Sequence, residues 1–129
     1  MKEEELLEVD VKKTKVSDLS GTALDWAVAK CEGIATTPRL NPFCFWVLPD
    51  LPGSFSKEWA YGGPIIEREG ISSLYLYVTD DPFRWAATQK PTILNIKPAS
   101  VYGPTLLIAA MRCYVASKLG DEIEIPDEL

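Results

Sequence analysis

The residue types that could do chemistry gather in one short string, Trp59-Ala-Tyr-Gly-Gly-Pro-Ile-Ile-Glu-Arg-Glu69. Paired glycines ahead of a proline let a backbone turn tightly or approach another group closely. Trp59, Tyr61, Gly62 and Gly63 could therefore border a ligand. The plainer expectation is a tight turn that packs Trp59 and Tyr61 onto the core, followed by a strand carrying Ile65 and Ile66. The string lacks the spacing of a phosphate-binding loop.

Carboxylates are the second resource. Glu67 and Glu69 flank Arg68, and Asp80 and Asp81 lie beyond the next expected strand. Together they could meet Arg112, whose guanidinium lies on an apolar helix and should have an anionic partner, because an unpaired buried charge costs several kcal/mol. A structural salt bridge is the expected outcome. A Mg²⁺ site for phosphate chemistry is the alternative, although no close ligand motif such as Asp-x-Asp is present.

The chain contains no histidine. Ser-His-Asp and Cys-His nucleophile systems, and His-bearing zinc or non-haem iron sites, are thereby excluded. Cys31, Cys44 and Cys113 are odd in number and far apart, which fits reduced core thiols rather than a disulfide framework or a metal site. No cofactor is implied. Four tryptophans and five tyrosines could stack a planar ligand such as a nucleobase, or could simply build the core.

A net charge of −6 opposes binding to a phosphate backbone, so nucleic acid is not expected as a partner. The acidic start Met1-Lys-Glu-Glu-Glu5 and the lack of a long apolar run predict neither leader nor membrane anchor, hence a cytoplasmic protein. At 129 residues, 47% of them apolar and 25% charged, a single folded domain over 1–129 is expected.

The elements that must position these groups follow from periodicity. Leu6 to Val16 alternates as a half-buried strand, with Leu7, Val9 and Val11 on one side. A helix over Thr22 to Glu32 starts at a Thr22-x-x-Asp25 capping box and stops at Gly33. Its apolar stripe is Ala23, Leu24, Ala27, Val28 and Cys31. Trp26 points almost oppositely, so another part of the chain should cover it, unless it is exposed for binding.

Nine of the ten prolines lie between Pro38 and Pro104, which predicts loops and short strands there. Phe43 to Leu48 reads as a buried strand. Ile71 to Val78 reads as another, with Leu74, Leu76 and Val78 opposite Tyr75 and Tyr77, and Thr92 to Ile96 as a third. A last helix begins at Gly103-Pro104, with proline at the first helical position, and ends at Gly120. One face carries Leu107, Ile108, Met111, Tyr114, Val115 and Leu119. The other carries Ala109, Ala110, Cys113, Ala116 and Ser117, small enough for close approach, so this helix should be central. Glu122 to Ile125 closes the chain as an edge strand, which could pair with a second copy. The fold is an α+β domain: a small mixed or antiparallel sheet, two principal helices and a proline-rich aromatic middle.

Three strings, Gly21–Gly33, Trp59–Gly70 and Tyr102-Gly-Pro-Thr through Arg112-Cys-Tyr-Val-Ala-Ser-Lys-Leu-Gly120, together resemble the NinX family of small proteins from tailed phages and prophages of enteric bacteria. Leu106 departs from the Gly-Pro-Thr-Pro form, which should only shift the helix start. The resemblance implies a phage accessory role and transfers no catalytic residues. The leading expectation is a non-catalytic protein that binds a host protein or an aromatic-stacking small molecule, with Trp26, Trp59, Tyr61, Gly62, Gly63, Glu67, Glu69 and Arg112 as candidate contacts. The alternative is a small carboxylate- or Mg²⁺-dependent enzyme acting on a nucleotide or related phosphate compound.

Overall fold

The computed structural model describes residues 11–34, 39–40, 46–47, 54–76, 84–89 and 100–127, with backbone alone at 39–40 and 46–47. In chain order these form β1 (Val11–Lys15), a 3₁₀ turn (Val16–Asp18), α1 (Gly21–Cys31), β2 (Arg39–Leu40) and β3 (Trp46–Val47). There follow α2 (Trp59–Glu69), β4 (Ile71–Tyr75), β5 (Trp85–Gln89), β6 (Val101–Gly103), α3 (Leu106–Leu119) and β7 (Glu122–Pro126). The fold is α+β, and among the described residues every strand pairing is antiparallel. β4-β5-β6 is a meander, β1-β7 joins the two ends of the described chain, and β2-β3 is a short ladder. The expected strand over Thr92 to Ile96 lies outside the described residues, as do Leu7, Val9, Tyr77, Val78 and most of Phe43 to Leu48.

α3 is the hub. Leu107 and every residue from Ala109 to Val115 are buried, because β4, β5 and β6 pack on one side while α1 and α2 pack on another. Its small residues permit that approach: a Cβ on Gly103 of β6 would lie 2.8 Å from the Ala109 backbone nitrogen. The helix starts two residues later than the Gly103-Pro104 signal predicts. Thr105 is the N-cap, its Oγ1 accepting a hydrogen bond from the Ile108 N–H at 3.1 Å, and a hydroxyl that satisfies an orphan donor sets the boundary more firmly than proline geometry.

α1 matches its predicted span within a residue, and Trp26 is covered, at 6% exposure. The capping box does not form: Ser20 is the N-cap and no side chain caps it. Asp25 instead is buried and accepts hydrogen bonds from the Ser54 hydroxyl at 2.7 Å and the Ser56 N–H at 2.9 Å, so it anchors the turn that precedes α2. At the other end Gly33 takes a positive φ of 77° and Ile34 N–H bonds back to Ala29 O.

The largest correction is α2. The Gly62-Gly63-Pro64 string is not a turn before a strand; it is the middle of an 11-residue helix, a third beside the two expected among the described residues. Gly62, Ile65, Ile66 and Glu69 lie at i, i+3, i+4 and i+7 and face the core side, with Gly62 and Ile65 buried. Pro64 lacks the donor that would reach Ala60 O, and a glycine before it avoids the Cβ clash that disfavours helix at pre-proline positions. Gly62 has a further reason. Its Cβ would fall 2.5 Å from Phe55 O and 2.6 Å from Leu107 Cδ1, so only glycine lets α2 seat against α3 and the Phe55 turn.

In β4 Leu74 and Tyr75 lie on opposite faces, as the alternation predicts. Leu74, at 64% exposure, points outward, in register with Ala86 and Tyr102, while Ile71, Ser73, Ala87 and Val101 line the face toward α3. In the β1-β7 ribbon Ile123 and Ile125 face inward, and Lys13–Glu124 and Lys15–Glu122 are opposed pairs on the outer face. Val11 of β1 is half exposed, so the first strand is less buried than its alternation predicts.

Candidate functional site

Arg112 does not meet the carboxylates. Its Nε donates to Leu19 O at 2.7 Å and its Nη1 to Tyr102 O at 2.8 Å, so one buried guanidinium staples the segment after β1 to strand β6. Two carbonyl oxygens satisfy the fork where a carboxylate was expected. Burial lowers its pKa, opposed by the charge of nearby Asp18.

Glu69 belongs to a different cluster, where the C-terminal turns of the three helices meet. Arg68 forks onto Glu32, with Nη2 at 2.5 Å from Oε2 and Nη1 at 3.3 Å from Oε1, and its Nε reaches Glu69 at 3.0 Å. The Tyr114 hydroxyl donates to Glu32, and Arg68 and Lys118 lie 5.7 and 5.9 Å from the Tyr114 ring centroid. Glu69 also takes Lys118 at 3.6 Å and Gln89 Nε2 at 3.3 Å. The hydrogen bond from Arg68 is the main cause holding the Glu32 carboxyl below its ordinary value, while desolvation first, and then donation to Glu32, raise the Tyr114 phenol. Two acids and two bases cancel, and the cations sit in the last turns where the helix dipoles favour them. Each of the three strings that carry the family resemblance contributes a residue here.

The other expected contacts are dispersed. Trp59 opens α2 and is 56% exposed, Tyr61 is half-buried with its ring edge-on to Phe55 at 6.3 Å, and a Cβ on Gly63 would make only ordinary contact with the Trp59 ring. Glu67 is exposed, and Asp80 and Asp81 lie outside the described residues. Among the described residues no three acidic or cysteine side chains converge as a metal site.

A cleft of about 760 Å³ opens instead between the β1-β7 ribbon and the edge of β6. Val16, Val101 and Ala116 give it apolar walls, and Tyr102 borders it. Ser17 and Ser100 add hydroxyls, the latter bonded to Thr88 at 2.9 Å, and Lys15, Asp121 and Glu122 supply charge. None of these residues was singled out from sequence as a contact. Val16 N–H bonds to Asp121 O where the ribbon begins, and Arg112 ties Leu19 to Tyr102 of β6.

The family model described as "Bacteriophage P22, NinX" matches residues 15–118. The chain belongs to the NinX family. No curated protein matches it. The NinX match takes in α1, α2, nearly all of α3 and the sheet β4-β5-β6, so the helix-end cluster and the Arg112 staple lie wholly inside it. Of the cleft it covers Lys15 to Ser17, Ser100 to Tyr102 and Ala116, and leaves Asp121 and Glu122 beyond its end. Membership makes this a phage protein of accessory type. Among the described residues no helix is long and apolar enough to cross a membrane.

Proposed function

We propose that this NinX-family protein is a non-catalytic phage accessory protein that binds a small molecule of the infected cell in the cleft between the ribbon and β6. The observation that carries this reading is the cleft itself. Its volume falls in the range of small-molecule sites, and predominantly apolar walls with a few convergent polar groups are what such sites use for affinity and orientation. The helix-end cluster supports the division of labour: its acids are engaged by Arg68, Tyr114, Lys118 and Gln89, which suits a lock between helices better than acid-base work. Binding in the cytoplasm of the host, to the phage's advantage in takeover or counter-defence, is the role this implies.

The test is native mass spectrometry of the protein purified from its bacterial host, beside the Ser17→Trp variant. Ser17 is exposed, its hydroxyl makes no bond to a described residue, and an indole there fills the cleft without disturbing the core. A stoichiometric small molecule on the wild type that is absent from the variant is expected. The same ligand retained by both would overturn the assignment to the cleft, and a stoichiometric host protein without ligand would overturn the small-molecule reading.

A further inference from the structure

The charge around the cleft narrows what it takes. Lys15, Asp121 and Glu122 are all exposed where they line the cleft, with Lys15 directly opposite Glu122 in the β1-β7 ladder and Asp121 beside them. One ammonium and two carboxylates leave the rim net negative, on a chain that carries −6 overall. Both favour a cation over an anion, because the rim acts at short range and the whole-chain field acts during approach. Val16, Val101 and Ala116 offer apolar area for a hydrocarbon body. Neither Arg68 nor Arg112 is available at the rim to hold a phosphate, since one is spent on Glu32 and Glu69 and the other on two carbonyl oxygens.

We infer that the cleft binds an apolar or aromatic amine in its ammonium form, with the body against Val101 and Ala116 and the charge directed to Asp121 and Glu122. The inference rests on the binding reading above. It sets the ligand class: organic cations enter, while nucleotides and other phosphate esters are repelled.

An isosteric pair of probes tests it. Tryptamine and indole-3-acetate share a ring and differ in the sign of the charge. Each is titrated into ¹⁵N-labelled protein at low salt while the amides of Lys15 to Ser17, Ser100 to Tyr102, Ala116, Asp121 and Glu122 are followed. Tryptamine is expected to shift these amides and to bind about tenfold more tightly than the acid, a preference that shrinks with added salt. The double variant Asp121→Asn/Glu122→Gln removes surface charges outside the core and is expected to abolish or reverse the preference. Equal shifts by both probes would overturn the amine inference and leave the cleft as a binding site. Shifts confined to other regions, or none with either probe, would overturn the amine inference directly, and the co-purification experiment would then judge the cleft separately.

Discussion

Gly62 and Arg112 are the two residues whose roles the packing defines most sharply. Replacing Gly62 by alanine should raise helix propensity by about 1 kcal/mol, yet its Cβ would collide with the Phe55 carbonyl and Leu107. Overpacking wins, and Gly62→Ala is expected to destabilise by about 1–3 kcal/mol in urea denaturation. Gly63→Ala meets only the Trp59 ring at 3.6 Å and should change stability by less than about 1 kcal/mol, its propensity gain offset by the following proline. Equal effects of the two would contradict the account of α2. Arg112→Met leaves two carbonyl oxygens without donors and should cost about 2–4 kcal/mol, with an unchanged denaturation midpoint as the opposing result. At this scale the sequence announced that Arg112 needs partners but not which ones, since backbone carbonyls of Leu19 and Tyr102, distant in the chain, leave no mark in residue type. The thiols read more easily. Burial raises both Cys31 and Cys113 to about 11, so alkylation at pH 8 should run roughly a hundredfold slower than for an ordinary cysteine. Labelling of either at the free-thiol rate, followed by mass spectrometry, would contradict their burial.

Among the elements, the three helices are tied at their C-terminal ends through Glu32, and that tie has a pH signature. The folded carboxyl sits below its ordinary value of 4.5, chiefly through Arg68, so the stabilisation is present above that value and is lost as pH falls through the folded one. Glu32→Gln should therefore show a shallower loss of stability than wild type below about pH 4.5, measured by thermal melts across an acid series. Parallel curves would show that the cluster contributes nothing to stability, which exposed ion pairs often do. Elements with a single period and clear end signals were legible: α1 from its stripe and Gly33, α3 from its two faces and Gly120, and β7 from its alternation. α2 was not, because Gly62-Gly63-Pro64 looks like punctuation and outweighs the Gly62, Ile65, Ile66, Glu69 spacing that tertiary packing rewards. β5 and β6 are short and rich in alanine and glycine, too weakly patterned to stand out before their partners are known.

For the molecule as a whole, the NinX family match gives the accessory phage identity, and the geometry adds a cleft, the place proposed for a ligand. The candidate contacts around Trp59 and Glu67 lie along a contiguous string, whereas the cleft draws on residues 15–17, 100–102, 116 and 121–122, brought together by antiparallel pairing of β1 with β7 and by the Arg112 staple. Discontinuous sites of this kind are invisible to spacing arguments. The most direct test of binding in the cleft is an amide chemical-shift map of the labelled protein on addition of the small-molecule fraction of a host-cell extract. The largest shifts are predicted at Lys15 to Ser17, Ser100 to Tyr102, Ala116 and Asp121 to Glu122. A map centred on Trp59 or on the Glu32–Arg68–Tyr114 cluster, with the cleft unmoved, would contradict it.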